Sequence, residues 1–245
     1  MIEQLRRQIL FLQKPPGIVS DAGLLPLGIP PIDAALGGGL MRGALHEIAA
    51  AGEAHLPAAA GFALGVASRS GSSSRLFWVV EDMAICESGT PHGAGFDVFG
   101  LALERLVTVS VAHRRDLLWA MEEALRCRAV NSVIGEIRAG EIGDIAARRL
   151  SLAAAESGAL ALLLRTAPAN DASTAATRWI VGAAPSSTTQ GFGAPRFATQ
   201  LVRNRRGPTG SWLLEWSESD EQFSPSTNTQ PVAATAFDRP HRKVA

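Results

Sequence analysis

The sequence predicts an α/β domain with a mostly parallel central sheet, flanking helices, and antiparallel strands added at the C-terminal end. Three observations point there. Between residues 44 and 164, short apolar runs alternate with stretches of helical spacing, the pattern of strands joined by helical crossovers. Beyond Thr177, three more strand-like runs follow one another with no helical stretch between them. Hydrophobic residues make up 47% and charged residues 19% of the 245, enough for one substantial core.

Taken in order, Ile2, Leu5, Ile9 and Leu10 fall at helical spacing, so residues 2–13 read as an amphipathic helix. Lys14-Pro15-Pro16-Gly17 ends it, because proline removes a donor and fixes its own backbone angle. So short a helix is marginal alone in water and needs its own core or another subunit to pack on. Residues 1–17 are thus a helix with its linker, and residues 18–218 the core domain. Residues 44–49 read as a short strand, and an Ala-rich helix starts at about Ala58. Residues 75–80 form a strand followed by Glu81-Asp82. A Gly-rich loop around Gly89 to Gly100 leads to another strand at 106–111. The stretch 115–129 places Leu117, Met121, Ala124 and Leu125 on one helical face. A buried-looking strand at 129–136 ends in the carboxylate of Glu136; a helix over about 142–157 and a strongly apolar strand at 159–164 follow. The runs 178–183, 195–203 and 211–216 read as antiparallel strands, with Trp212, Leu214 and Trp216 sharing a face by the two-residue period. After Glu218 apolar periodicity is lost and Ser, Thr, Asn, Gln and Pro accumulate, so residues 219–245 read as a disordered tail. Within it, Arg239-Pro240-His241-Arg242-Lys243 is locally basic.

The most informative stretch is Ala50-Ala51-Gly52-Glu53-Ala54-His55-Leu56-Pro57, between the first core strand and the Ala-rich helix. That is the place of a phosphate-binding loop. Such a loop carries G-x-x-x-x-G-K-[ST]: glycines let backbone N–H groups curl round phosphates, Lys meets the β/γ charge, and Ser/Thr meets Mg²⁺. No Lys lies near, and Glu53 puts a carboxylate beside the anion's place. Gly37-Gly38-Gly39 precedes a strand instead of joining strand to helix, so it reads as a turn. His46, His55, His92, His113 and His241 are scattered, and Cys86 and Cys127 lack ligand spacing, so no metal site is expected. Zero formal net charge argues against wholesale electrostatic capture of nucleic acid, and leaves only a local patch for any DNA contact. No G-x-S-x-G elbow supports hydrolase chemistry. Without a signal-peptide pattern or a membrane-length apolar run, the expected location is the cytoplasm.

Leu27-Gly28-Ile29-Pro30-Pro31-Ile32-Asp33-Ala34-Ala35-Leu36-Gly37-Gly38-Gly39-Leu40-Met41-Arg42-Gly43, running into Glu47-Ile48, resembles the approach to the first core strand of RecA-like recombinases. The stretch from Arg149 to Arg165, and Pro195 to Gly207 with Ser211 to Trp216, resemble one branch of them, the SulA-related ImuA family of SOS mutagenesis accessories. The resemblance covers roughly residues 2–216. It implies a RecA-like core and a role in error-prone translesion synthesis. The implied partners are a Y-family-like polymerase homologue (ImuB) and an error-prone DnaE-type polymerase, with RecA and weakly held DNA as further contacts. Carried over position by position, Gly52, Glu53, Ala54 and His55 mark a degenerate loop. Glu81 falls near the catalytic carboxylate, and Glu136 at the metal-holding strand end. Losing the loop removes the centre of a phosphoryl-transfer site, so neither enzymatic activity nor a cofactor is expected. Ile2, Leu5 and Ile9 on the first helix, Arg203 and Arg205 where the resemblance implies a neighbour-reaching cationic pair, and Arg206 beside them, are the candidate partner or DNA contacts. An ATPase with a degenerate loop and a SulA-type cell-division inhibitor stand as alternatives.

Overall fold

The computed structural model describes residues 23–71, 75–91, 93–138, 142–168, 173–186 and 193–226. The first helix, with Ile2, Leu5 and Ile9, and the basic run 239–243 lie outside them. At the start, β1 (Leu24–Leu25) pairs antiparallel with β2 (Leu40–Met41) around a short helix, α1 (Pro30–Ala35). The Asp33 carboxylate fixes this lobe by accepting the Leu27 and Gly28 N–H groups at 2.7 and 3.0 Å. The triple glycine is a turn. Gly39 has φ 139°, and a Cβ there would sit 2.5 Å from the Leu25 carbonyl oxygen, so only glycine fits.

The main sheet has nine strands: β3 (Ala44–Ala50), β4 (Leu76–Glu81), β5 (Leu106–Val111), β6 (Ser132–Ile137), β7 (Leu160–Arg165), β8 (Thr177–Ala183), β9 (Arg196–Asn204), β10 (Gly210–Ser217) and β11 (Gln222–Pro225). Their spatial order is β11-β10-β9-β8-β3-β7-β6-β4-β5. Strands β5, β4, β6, β7, β3 and β8 run parallel. From β8 to β11 each pairing is antiparallel. The sequence reading of three antiparallel runs therefore needs one correction: the first of them, β8, is parallel to β3, and the direction reverses only after it. Strands β3, β6 and β7 are buried along their whole length, as expected of a sheet covered on both faces.

Helix α2 (Leu56–Ser68) covers one face. It is apolar nearly all round because the sheet lies beneath it and the Phe197, Trp216 and Phe223 rings of β9–β11 pack against it. Gly65 makes that overlap feasible, since a Cβ there would meet the Phe223 ring at 2.6 Å and Trp216 at 3.0 Å. On the same side lie α3 (Asp82–Ser88) and α4 (Gly93–Asp97). The α4 turn sits inside the stretch read from its glycines as a loop, pinned by buried Phe96 against Trp78. Helices α5 (Arg114–Arg126) and α6 (Asp144–Ser157) cover the other face. Leu117, Met121, Ala124 and Leu125 are its buried stripe on α5, as their spacing predicts.

The tail boundary also needs correction. Residues 219–226 belong to the fold, and β11 lies within what reads as a tail. Its single large apolar residue, Phe223, is 2% exposed and packs 5.0 Å from Trp216 and 5.4 Å from Phe62, ring centre to ring centre. One buried aromatic on an edge strand offsets ordering that composition alone would forbid. Among the described residues no helix is long and apolar enough to cross a membrane.

Candidate functional site

A cavity of about 850 Å³ opens beside the C-terminal ends of β4 and β6, between the start of α2 and the α3–α4 segment. Ligands of open parallel sheets bind at this end of the strands. Trp78, Val80, Phe96, Phe99, Leu64 and Pro57 make its apolar wall. Glu53, Glu87 and Glu136 supply three carboxylates to the lining, against one guanidinium, Arg138.

The loop from β3 to α2 is short and self-contained. Gly52 is in extended backbone (φ 176°), and Glu53–His55 then form one turn of 3₁₀ helix, closed by the His55 N–H donating to the Gly52 carbonyl at 2.9 Å. The His55 Nδ1 accepts the Ala183 N–H at 3.1 Å, which ties the turn to the end of β8. Helix α2 begins with Leu56 and Pro57. Helix N-termini attract anions through free N–H groups, and Pro57 has none to offer. Glu53 and Ala54 line the cavity; Gly52 and His55 do not. The described residues contain no lysine.

Glu136 points into the cavity, 3.8 Å from the Arg138 Nε. Burial pushes its pKa up, while the Arg138 charge and the Trp78 indole pull it down and Glu81 adds to the rise. Arg138 is itself held in place: its Nε lies 3.6 Å from Glu87, and its Nη2 donates to the Ala84 carbonyl at 3.2 Å and to the Ser88 hydroxyl. Glu81 lies one residue past Val80 and outside the cavity lining. It accepts the Arg138 backbone N–H at 3.2 Å and lies 3.7 Å from the Arg114 Nε. The two acids thus share Arg138 without converging on one point in the cleft.

The arginines fall elsewhere. The end of β9 pairs with the start of β8, Arg203 standing opposite Arg178 and Asn204 opposite Thr177, at the far end of the strands from the cavity. Arg205 donates its side chain to the Ser173 carbonyl at 3.1 Å and its N–H to Ala176, and its pKa is lowered by burial and by Arg203. The Arg206 guanidinium lies over Gly37. Cys86 and Cys127 are exposed free thiols. Among the described residues no group of three or more His, Cys, Asp or Glu is placed to hold a metal ion.

Sequence reading missed two buried polar centres. Glu47, 1% exposed in the middle of β3, has its Oε2 2.8 Å from the Arg178 Nε and 3.9 Å from the Arg165 Nε, and its Oε1 accepts the Ser173 hydroxyl. The available signal was a charge inside each of three otherwise apolar strands. On the opposite face of β3, His46 bonds the Met41 carbonyl at 2.9 Å and the Thr177 hydroxyl at 2.8 Å. Burial pushes its pKa down to about 4.

No family model matches the chain. It is 29% identical over 223 residues to Protein ImuA from two strains of Caulobacter vibrioides, covering 83% of this chain and 87% of theirs. Among solved structures it resembles the RadB recombinase, with a TM-score of 0.59 at 14% identity, covering 83% of this chain and all of that one. The fold is thus that of the RecA-like recombinases, with a nine-stranded mixed sheet and α2 packed on one face of it. With this fold, the chain is similar along most of its length to ImuA and shares the architecture of the RecA-like proteins.

Proposed function

We propose that the chain is a non-catalytic accessory protein of SOS-induced, error-prone translesion synthesis, acting in the cytoplasm by protein–protein contact. One observation supports the non-catalytic half: the β3–α2 loop. A nucleotide's phosphates need free N–H donors and a cation. Here the loop closes on itself through His55 and Gly52, Pro57 lacks an N–H, and Glu53 brings a carboxylate. The lining would repel a polyphosphate and could not neutralise it, so MgATP does not fit these residues. Similarity to ImuA supports the cellular role. A Y-family-like polymerase homologue (ImuB), an error-prone DnaE-type polymerase and RecA are the partners, with DNA contact weak. A recombinase-shaped surface freed from a nucleotide cycle suits bridging or capping better than turnover.

The test combines genetics with capture. Deleting the gene should abolish damage-induced mutagenesis without altering septation, and the tagged protein should retain the polymerase partners. Normal mutagenesis in the deletion strain, or cell filamentation on expression, would remove the reading. An ATPase remains the second reading, favoured by Glu136 inside the cleft. ATP turnover that Glu136→Gln abolishes would establish it.

A further inference from the structure

The cleft is large enough for an occupant, and its chemistry says of what kind. At about 850 Å³ it lies within the range of roughly 300–1,000 Å³ usual for binding pockets. Pro57, Leu64, Trp78, Val80, Phe96 and Phe99 make its interior apolar. The two mostly buried charged groups of the lining, Glu136 and Arg138, lie 3.8 Å from each other. Exposed charge stands at the edges and is acidic: Glu53 on the β3–α2 loop, and Glu87 near the end of α3. These are the two elements between which the cleft opens. Three carboxylates against one guanidinium leave the lining with an excess of two negative charges, or one with Glu136 protonated.

A small ligand's site places its orienting polar groups inside the pocket. Here the inner pair face each other, and the remaining charge lies on the rim. An apolar pocket with a charged rim is the layout of a protein-contact site, where a buried anchor side chain carries the affinity and the rim selects the partner.

We propose that the cleft receives a segment of a partner protein in which an aromatic or branched apolar residue is accompanied by Arg or Lys. The apolar side chain lies against the Trp78, Phe96 and Phe99 wall, and the cations meet Glu53 and Glu87. The proposal rests on the reading that the cleft takes no nucleotide. Arginine suits the rim better than lysine, because its planar fork can engage a carboxylate through two parallel hydrogen bonds. The carboxylates that repel a polyphosphate thereby also turn away acidic segments, so one lining both excludes the nucleotide and selects the occupant.

The experiment begins with a phage-displayed library of random dodecapeptides, selected on the folded full chain. The expected consensus pairs an aromatic or branched apolar residue with a neighbouring Arg or Lys. A dye-labelled, Arg-containing peptide of that consensus is then titrated by fluorescence anisotropy. Replacing its Arg by citrulline, which keeps the shape and removes the charge, should weaken binding about tenfold, and so should Glu53→Gln with Glu87→Gln. Combining the two changes should add little to either alone, because both delete the same contacts. High salt should weaken binding to the unaltered chain. Ala60→Phe, which fills the cleft from α2, should abolish binding, with circular dichroism confirming the fold. No consensus, a consensus without cations, or a peptide that binds the Gln variant and Ala60→Phe unchanged would overturn the proposal. Displacement by spermidine at concentrations equal to the peptide's would also overturn it, making the site one for a free amine. A bound peptide that MgATP displaces would leave the peptide site standing and remove the nucleotide-free reading. MgATP binding with no peptide consensus would remove both.

Discussion

Removing Glu47 is the sharpest perturbation of the fold, because one carboxylate serves two arginines inside the sheet. Its Oε2 lies 2.8 Å from Arg178 and 3.9 Å from Arg165, and the carboxylate is almost wholly excluded from solvent. Glu47→Ala removes the anion that faces both guanidinium groups, Arg165 almost wholly buried and Arg178 half-buried. Breaking a buried ion pair from one side costs about 3–5 kcal/mol. Stability of a domain is about 5–15 kcal/mol, so the loss is a large fraction of the total. At roughly 2–4 °C per kcal/mol for a chain of this size, Tm should fall by about 6–20 °C. Urea denaturation followed by tryptophan fluorescence reads the change directly. The triple replacement Glu47→Leu, Arg165→Met, Arg178→Met should recover most of it, since an apolar substitute of similar volume avoids desolvation altogether. A loss below about 1 kcal/mol for Glu47→Ala would refute the reasoning, for the arginines would then be satisfied without Glu47.

Three further outcomes follow from the same structure. His46 has a folded pKa of about 4 against an ordinary 6.5, so the folded state binds fewer protons than the unfolded chain between those values. Stability is full above pH 6.5 and falls as pH drops towards 4, by about 3 kcal/mol in all; a His46→Gln variant should lose that part of the slope in urea titrations at stepped pH. Glu136 has its pKa raised chiefly by burial, so its charged form costs stability at neutral pH and the cost fades as pH falls through its folded value. Glu136→Gln should therefore raise the denaturation midpoint at pH 7, and the gain should shrink in acid. Gly65→Ala should destabilise by about 1–3 kcal/mol through its clash with Phe223 and Trp216. In a double-mutant cycle with Phe223→Ala the two losses should fall well short of adding, and simple additivity would show that β11 does not rest on α2.

The parallel half of the sheet was legible because each of its strands is a short apolar run bounded by helical periodicity. The α5 stripe was legible for a similar reason, since Leu117, Met121, Ala124 and Leu125 keep strict helical spacing. What escaped depended on contacts distant in sequence. The β11 strand has no periodicity of its own and is held by one ring, Phe223, against α2 and β10. Helix α4 begins amid glycines and is fixed by Phe96 stacking edge-on to Trp78. At the site, the sequence read Glu136 as the carboxylate ending a buried strand, and only the fold sets it in the cleft wall; Glu81 likewise needed the structure to show its engagement with Arg114 and the Arg138 backbone. Arg138, which organises the rim, had no signal beyond lying two residues after Glu136. Glu47 was passed over because a charge in an apolar strand reveals its partners only when the neighbouring strands are placed.

We propose that the cleft beside the β3–α2 loop accepts no nucleotide. Calorimetric titration of MgATP into the folded full chain, beside a RecA control, tests it most directly. No heat of binding is expected from this protein while RecA binds under the same conditions. Micromolar binding would contradict it, making the Gly52–Pro57 loop a working phosphate site and Glu136 the first residue to examine for catalysis.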